Sequence, residues 1–447
     1  MPRLLSPSLP FAELWTRRES GSSRLQQFNV TDGVDRGYAL ESLTVKQLLS
    51  VDQVLRRYDQ TKSFMGNAGG PDGLKLNQFR REEIAMIVRK IVDLAKNAEF
   101  VPGQLRRVPI PKGSGGSRDL LIANVCERLV SSSANEILTR LIAPKIHPAF
   151  HGYLPRLGTH TFFAYIFAML TRHPTADCIY FSSLDILKAF DRVQVKSVKE
   201  ALLALKIPED TIEAILTLTG ANQNGVGLPQ GNALCPILFT ATLSHHVDWG
   251  NQRESKTAHP VPPMYADSVY ADNVSYIGKS ELELREKIDS HSRELDGVGL
   301  TWGTKPPPIN LSTGEIGTAM GTTVSITNGK VKFRMSTETL DQAKTTYSSS
   351  YSGIYRRRAA RDILISIVSQ WGHIAATTED GELRTTLEGI TNLPGMQQPD
   401  LNEIIRIWRD AGNDWLYRCL PRYLEATNSS SDPCNSPGDG SPVFSRT

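Results

Sequence analysis

The chain has 447 residues and 40% of them are hydrophobic, which is enough for two or three packed units. Its formal charge is only +3, so the overall charge does not indicate nucleic-acid binding. Any such binding would have to come from a local cluster of basic residues. The five cysteines form no C-x-x-C pair, which argues against a disulfide framework and a cysteine zinc site and predicts a reducing, cytoplasmic location. We find no signal peptide and no apolar run of about 18 residues, so no membrane contact is expected.

The predicted elements alternate between helices and short strands. In chain order they are a helix at 44–58, a glycine-rich loop at 66–73, a helix at 81–97, a hairpin of strands 105–110 and 119–123, helices at 124–146 and 161–171, a strand at 178–184, helices at 195–205 and 233–248, a strand–turn–strand at 264–277, a charged helix at 280–297, short strands within 309–335, and helices to about 424. This order predicts an α+β domain with an antiparallel sheet, followed by a helical domain.

Two aspartates stand where β-like runs end. Asp185 follows an apolar strand, where its ordinary role would be to cap the next helix. Asp272 and Asn273 stand at the predicted tip of the hairpin, where an Asp-Asn turn is the ordinary interpretation. Together they fit a different chemistry, because phosphoryl transfer to a 3′-hydroxyl uses two divalent ions about 4 Å apart. Mg²⁺ prefers carboxylate oxygens, and a strand-end Asp beside a hairpin-tip Asp supplies them.

A second Tyr-Ala-Asp triplet creates an ambiguity. Residues 265–268 read YADS and residues 270–273 read YADN. We favour Asp272 over Asp267, because 274–277 then forms the return strand and the charged helix begins at Ser280.

Three motifs resemble those of reverse transcriptases and occur in the order of that family. The run DILKAFD at 185–191 resembles the first metal-binding motif, LPQGNALCP at 228–236 resembles the Pro-Gln-Gly motif, and YADN at 270–273 resembles the Tyr-x-Asp-Asp hairpin.

Three further stretches resemble flanking family features. They are GGPDG at 69–73, RRVPIPK at 106–112 with Arg118 after it, and AMG at 319–321. The resemblance covers roughly residues 50–335 and is strongest to group II intron enzymes and similar free-standing bacterial reverse transcriptases.

The resemblance implies a right-hand polymerase fold of the α+β class, with fingers, a palm built on an antiparallel sheet, and a helical thumb. It divides the chain into an N-terminal extension (1–45), fingers with part of the palm (46–178), palm (179–337), helical thumb (338–425) and a disordered tail (426–447). The tail is rich in Ser, Pro, Gly and Asn, which also predicts disorder.

The resemblance implies a metal site of Asp185 and Asp272, joined by the Ile186 carbonyl and Asn273. Its cofactor would be Mg²⁺, as two ions, with Mn²⁺ as a substitute. The family usually has a second acid where this chain has Asn273. One negative charge is therefore missing near the ions, and we expect weaker metal affinity or greater tolerance of Mn²⁺.

The incoming nucleotide would meet basic residues from two segments. By resemblance, Lys112 and Arg118 grip the triphosphate, for which the arginine fork and the lysine point charge are suited. Lys305 resembles the lysine that protonates the departing pyrophosphate. The alternatives are a solvated basic turn for the first two and a merely exposed loop side chain for Lys305.

Three other residues resemble the family's nucleotide pocket. Gln230 would touch the template or the incoming nucleotide, unless its amide only satisfies its own turn. Gly231 would let the backbone pass close to the nucleotide. Phe190 would lie under the sugar and exclude a 2′-hydroxyl, so that dNTPs are selected, unless it is an ordinary core residue.

Primer and template contacts are predicted in three places. Tyr270 belongs to the metal-binding hairpin, and Met320 with Gly321 resembles the primer grip. The stretch YRRRAAR at 355–361 has four arginines beside tyrosines 347, 351 and 355, which suits a duplex backbone. Arg356 and Arg357 are its candidate contacts, and a solvated helix face is the alternative.

The implied function is RNA-directed DNA polymerization, with an RNA template, an RNA or DNA primer, and dNTPs as substrates. The same resemblance suggests a co-encoded structured RNA and a role in defence against phage, and it leaves homo-oligomerization open. Three alternatives remain: an RNA-dependent RNA polymerase, against which Phe190 speaks; template-independent or protein-primed DNA synthesis on the same fold; and a non-catalytic RNA-binding maturase or scaffold.

Overall fold

The secondary structure combines helices with antiparallel sheets, as an α+β fold does. The computed structural model of the chain describes residues 38–61, 68–97, 99–111, 117–172, 178–221, 225–250, 266–351, 357–393 and 399–420.

The first part is helical apart from one hairpin. Its elements are α1 (Val45–Leu48), α2 (Val51–Thr61), α3 (Arg81–Lys96), β1 (Arg106–Pro111), β2 (Ser117–Ile122) and α4 (Val125–Ile142). The strands pair antiparallel, with Arg106 opposite Ile122 and Pro111 opposite Ser117. A capping box between Thr44 and Gln47 starts α1, which satisfies amides that the first helical turn leaves without partners.

The second part contains the central sheet. Its elements are α5 (Thr159–Arg172), β3 (Tyr180–Asp185), α6 (Ala189–Arg192), α7 (Val195–Ala204), α8 (Glu209–Thr219), α9 (Cys235–His246), β4 (Ala266–Tyr270), β5 (Asn273–Gly278), α10 (Glu281–Gly297) and β6 (Ile309–Asn310). The four strands lie in the order β4-β5-β3-β6, all pairs antiparallel. The order brings the first acidic strand, β3, beside the return strand of the hairpin, β5.

The last part is a small sheet followed by helices. It comprises β7 (Gly317–Ala319), β8 (Thr322–Thr327), β9 (Lys330–Met335), α11 (Thr337–Tyr351), α12 (Arg357–Ser369), α13 (Gly372–Thr377), α14 (Asp380–Thr391) and α15 (Leu401–Arg418). Asp400 caps α15 by accepting from the amides of Asn402 and Glu403.

Two hydrophobic cores lie on opposite faces of the central sheet. Leu184 and Val274 belong to the core that the N-terminal helices and α7 to α10 complete. Phe181 and Ile277 belong to the core formed with α5, β7 to β9 and the C-terminal helices. Because side chains alternate along a strand, Asp185 is on the same face as Phe181, beyond its buried part.

Most predicted elements are confirmed, with two corrections. The helix α8 was missed, although Glu209 and Asp210 open it and Gly220, at φ 76°, ends it. The predicted helix at 44–58 is two helices, α1 and α2. Near the end of the predicted N-terminal extension, Leu40 and Leu43 are buried.

The free cysteines and the membrane prediction are tested in the described ranges. Cys126, Cys178, Cys235 and Cys419 are free thiols, as expected for a chain without a disulfide framework. Among the helices just described, none combines the length and apolar character that crossing a bilayer requires. The residues of the predicted tail lie outside the described ranges.

Candidate active site

The structure brings Asp185 and Asp272 together at one end of the central sheet. Asp185 is the last residue of β3 and pairs with Asn273, the first residue of β5. The amide of Ile186 donates to the carbonyl of Asp272 over 2.9 Å. Two acids 87 positions apart in the sequence are therefore joined by adjacent backbone pairs, as the prediction requires.

The second acid stands in a tight turn between β4 and β5. Tyr270 pairs with Asn273, which leaves Ala271 and Asp272 as the two turn residues. The predicted tip at Asp272 and Asn273 is thus shifted by one residue. Ala271 has φ 58°, the left-handed value that two-residue hairpins need at their first turn position. A residue other than glycine in that conformation costs about 1 kcal/mol or more, and such strain is common at functional sites.

The other Tyr-Ala-Asp triplet has a different environment. Asp267 lies within β4, is 3% exposed, and forms an ion pair of 2.6 Å with Lys287 of α10. Burial raises the pKa of Asp267, while Lys287 and His291 oppose that shift. A carboxylate held in this way is a structural pair, so the geometry favours Asp272 as the site residue.

The oxygen donors at this end of the sheet suit a hard cation. Asp185 is exposed, while Asp272 and Asn273 are half-buried, and the Asn273 amide lies 3.4 Å from an Asp272 carboxylate oxygen. Ile186 forms a bridge with Trp302 whose hydrogen bonds use the Asp185 carbonyl and the Leu187 amide, so the Ile186 carbonyl takes no part in it.

No group of three or more His, Cys, Asp or Glu able to hold a metal occurs among the described residues. Two carboxylates with backbone and amide oxygens still fit Mg²⁺, which commonly uses one or two carboxylates together with water and substrate phosphates. The donor set therefore fits magnesium and is poor in the nitrogen and sulfur ligands of zinc.

The Pro-Gln-Gly turn is attached to the β1–β2 hairpin. The Leu121 amide of β2 donates to the Gln230 carbonyl over 2.7 Å. Gly231 has φ 119°, and a Cβ there would overlap the Leu121 carbonyl oxygen. Gly231 is thus required because the turn lies so close to β2. The sequence had instead suggested that the glycine allows close approach to a nucleotide. The Gln230 side chain donates to Asp191 over 3.2 Å.

Phe190 lies just after Asp185 and is held from several sides. Its ring packs against Phe239 with centroids 4.8 Å apart, and its carbonyl accepts from Leu228 over 2.6 Å. It is half-buried, so part of it remains accessible. The position next to the acidic end of β3 is consistent with a contact to a nucleotide sugar.

Of the three basic residues predicted to contact the nucleotide, the structure describes the side chain of Lys305 alone. Lys112 lies outside the described ranges, and for Arg118 only the backbone is described, in β2 opposite Ile110. The Lys305 amine donates to Ser292 over 2.7 Å and lies 3.7 Å from Asp289, both on α10. Lys305 thus contacts α10, an arrangement compatible with the alternative that it is an exposed loop side chain.

The predicted primer grip is a two-residue turn between β7 and β8. Met320 and Gly321 both have positive φ, 47° and 76°, as a type I′ hairpin turn requires. The Gly321 carbonyl accepts from the Thr339 hydroxyl over 2.9 Å, and a Cβ at Gly321 would overlap that hydroxyl.

The basic helix is only partly what the sequence predicted. Arg356 lies outside the described ranges, and Arg357 begins α12 with no description of its side chain. Arg361 forms hydrogen bonds of 2.5 and 3.0 Å with Glu403 of α15, and Tyr347 is fully buried. The prediction that Tyr347 lies beside an exposed cluster is therefore wrong, and Arg361 stabilises the helical packing.

One residue near the acids was missed by the sequence analysis. Tyr153 follows Gly152, at which a Cβ would come within 2.6 Å of the Ala271 amide. The segment before it pairs with β4, since His151 donates to Val269 and Val269 donates to Ala149, each over 2.8 Å. The only sequence signal was a glycine before an aromatic residue in a loop, which is too common to single out.

Comparison with known proteins finds a similarity over the region that contains this site. A family model described as reverse transcriptase (RNA-dependent DNA polymerase) matches residues 110–304. A 91 kDa protein in the cob intron of Schizosaccharomyces pombe is 31% identical over 212 residues, covering 45% of this chain and 25% of that protein. The COX1/OXI3 intron 2 protein of Saccharomyces cerevisiae is 25% identical over 253 residues, covering 52% and 28% respectively.

The matched region contains both acids and the Pro-Gln-Gly turn. Residues 110–304, less than half of the chain, are therefore similar to a reverse transcriptase domain. The chain spans only about a quarter of the length of the curated relatives described above.

Proposed function

We propose that this chain is an RNA-directed DNA polymerase that adds dNTPs to a 3′-hydroxyl at Asp185 and Asp272. The observation that carries the proposal is the backbone junction of β3 with the hairpin, where Ile186 donates to the Asp272 carbonyl over 2.9 Å. It holds two carboxylates from distant segments at one sheet end, inside the region that matches reverse transcriptases. The fingers, palm and thumb arrangement and the domain boundaries predicted from the sequence belong to this proposal.

The proposed chemistry needs few protein groups beyond these acids. Two bound magnesium ions would lower the pKa of the attacking hydroxyl and balance the charge that develops on the phosphorus. Asp185 and Asp272 would hold them, with the Ile186 carbonyl and the Asn273 oxygen as further ligands. Lys112 and Arg118 would hold the triphosphate, and Gln230 would face the template side.

The choice of sugar would depend on Phe190. Its backbone is fixed by the Leu228 amide and its ring rests on Phe239, so a 2′-hydroxyl would meet an aromatic surface that cannot easily withdraw. Core packing is close to that of a crystal, and an extra atom is tolerated poorly. dNTPs are therefore the proposed substrates.

The direct test is primer extension on an RNA template with Mg²⁺. Asp185→Asn and Asp272→Asn should each reduce dNTP incorporation by about 10³-fold or more, since they remove metal ligands. Asp267→Asn is the matched control, because it changes the aspartate of the other Tyr-Ala-Asp triplet and breaks only the Lys287 pair. It should lower thermal stability and keep the metal dependence. Loss of activity in Asp267→Asn with full activity in Asp272→Asn would overturn the assignment.

A second candidate is a role with intron RNA, because the curated relatives are described as intron proteins. In that case the chain binds a structured RNA and DNA synthesis is secondary. A double Asp185→Asn/Asp272→Asn variant that still supports the biological function would favour this candidate. The relatives' names favour an intron-type partner over the phage-defence role, which stays a prediction, as do a cytoplasmic location and homo-oligomerization.

A further inference from the structure

The starting observation is an exposed aromatic residue in an unfavourable backbone conformation. Tyr153 is 41% exposed and has φ 60°. A bulky residue in the left-handed region is uncommon and costs about 1–3 kcal/mol. Such a conformation persists only where the surroundings impose it, and at Tyr153 the preceding Gly152 is pressed against the hairpin turn.

The ring of Tyr153 lies beside two site aromatics at once. Its centroid is 6.3 Å from that of Phe190, with an interplanar angle of 81°, and 6.4 Å from that of Tyr270, with an angle of 30°. Edge-to-face pairs at such distances are favourable beyond the area they bury. The Phe190 ring thus contacts two aromatic rings, those of Phe239 and Tyr153.

We propose that Tyr153 is a positioning residue for sugar selection, which fixes the Phe190 ring against the nucleotide. This inference rests on the proposed polymerase function and extends it to a residue outside the recognised motifs. The Phe190 ring has a soft side-chain torsion, so a support on one face alone leaves it room to turn. With Tyr153 present, turning away from a 2′-hydroxyl would require both rings to move.

The link to the metal site follows from the same segment. Residues 149–151 pair with β4, and a Cβ at Gly152 would come within 2.6 Å of the Ala271 amide, in the turn that carries Asp272. The position of Tyr153 is therefore set by the acidic hairpin itself. A ring placed in this way has a fixed position relative to both the acids and Phe190.

The test compares kcat/KM for dNTPs with kcat/KM for NTPs. Tyr153→Gly removes the ring and accepts the left-handed backbone without strain, so the fold should persist. We expect the preference for dNTPs to fall about tenfold, the size expected for loss of one apolar contact in a specificity pocket. Tyr153→Phe keeps the ring and should retain the preference. Tyr417→Ala, which removes a ring that is 80% exposed on α15, is the matched control and should change nothing.

A double-mutant cycle tests whether Tyr153 acts through Phe190. In a Phe190→Ala background, Tyr153→Gly should lower the preference no further, because the ring that it positions is absent. Additive losses would overturn the inference, and so would an unchanged preference in Tyr153→Gly alone. If the wild-type chain incorporates neither substrate on an RNA template, the proposed function fails instead, so the two failures are distinguishable.

Discussion

At the residue scale, the proposed site depends on the two acids and on the residues that adjoin them. Asn273 is the clearest departure from the family pattern, since it replaces a carboxylate while its amide nitrogen lies 3.4 Å from Asp272. An amide next to a carboxylate stabilises that carboxylate, whereas a second acid would repel it in the absence of metal. At the proposed metal site, Asn273 therefore supplies less negative charge than an aspartate would, and it stabilises the hairpin turn.

Asn273→Asp should restore the missing charge and tighten metal binding. We expect half-maximal activity at a Mg²⁺ concentration about three- to tenfold lower, because a further negative charge within a few ångströms attracts the cation. Mn²⁺ titrations of the same variants should show a smaller gain. Asn273→Ser, which adds no charge, is the control. Equal Mg²⁺ dependence in the wild type and Asn273→Asp would contradict the interpretation.

A buried histidine should make the C-terminal core sensitive to acid. His373 is 1% exposed, stacks on Phe163 with centroids 4.0 Å apart, and lies 3.2 Å from the Thr322 hydroxyl. Burial, with a smaller effect of His160, lowers the pKa of His373 to about 3. The unfolded chain, with a histidine pKa near 6.5, binds the proton more readily, so stability falls as pH decreases from about 6.5 towards 3.

His373→Gln should therefore flatten the pH dependence of unfolding. The slope lost is up to about 1.4 kcal/mol per pH unit in that window, the value for one proton. Denaturant unfolding at pH 4 to 7 measures it. A slope in His373→Gln equal to that of the wild type would show that other groups set the acid response.

At the element scale, the turns at the site have specific backbone requirements. The Pro-Gln-Gly turn is shaped by its contact with β2, through the Leu121 amide and the space left by Gly231. The hairpin turn is shaped by Ala271 in a left-handed conformation. Each turn thus fixes the backbone of a predicted site residue, Gln230 in the first and Asp272 in the second.

Gly231→Ala separates backbone strain from steric overlap. Gly231 has positive φ and a Cβ would strike the Leu121 carbonyl, whereas Gly314 has φ 88° with no heavy atom within 4 Å of such a Cβ. Gly314→Ala should cost about 1 kcal/mol from strain alone. Gly231→Ala should cost about 1–3 kcal/mol more and reduce primer extension. Equal losses of thermal stability would show that the approach to β2 is unimportant.

The periodic elements were predicted well, because the spacing of apolar residues shows which face of a helix or strand is buried. The hairpin β4–β5, the strand β3 and the charged helix α10 are found within a few residues of their predicted bounds. Helix α8 was missed although its acidic start and Gly220 were visible in the sequence.

The candidate site was predictable only where family motifs marked it. Asp185 and Asp272 were named correctly as neighbours, since their motifs occur in a known order. Tyr153 was not, because its contacts with Phe190 and Tyr270 arise from tertiary packing across three segments. The burial of Tyr347 was also missed, although Leu340, Ala343 and Tyr347 follow the helical spacing of one face of α11.

At the scale of the whole molecule, β3 joins the two hydrophobic cores. Phe181 points into one and Leu184 into the other, and Gly317 approaches so closely that a Cβ would come within 2.5 Å of the Phe181 ring. The strand that ends in Asp185 is therefore held on both faces. A substitution that destabilises either core should therefore affect Asp185 through the same strand, β3.

Substitutions on the two faces of β3 should lower one common unfolding transition. Phe181→Ala and Leu184→Ala should each cost about 3–5 kcal/mol as cavities in a packed core. Because the strand is shared, both should shift the same calorimetric peak. Separate transitions, with each variant shifting only one of them, would show that the cores unfold independently.

The bond of 2.7 Å between the Leu121 amide and the Gln230 carbonyl makes the β1–β2 hairpin and the Pro-Gln-Gly turn a single mechanical unit. If the hairpin swings toward a bound triphosphate, the turn must travel with it or the bond must rupture. On the proposed function, movement of the hairpin onto the triphosphate and movement of the turn on the template side would then occur together, at the same rate.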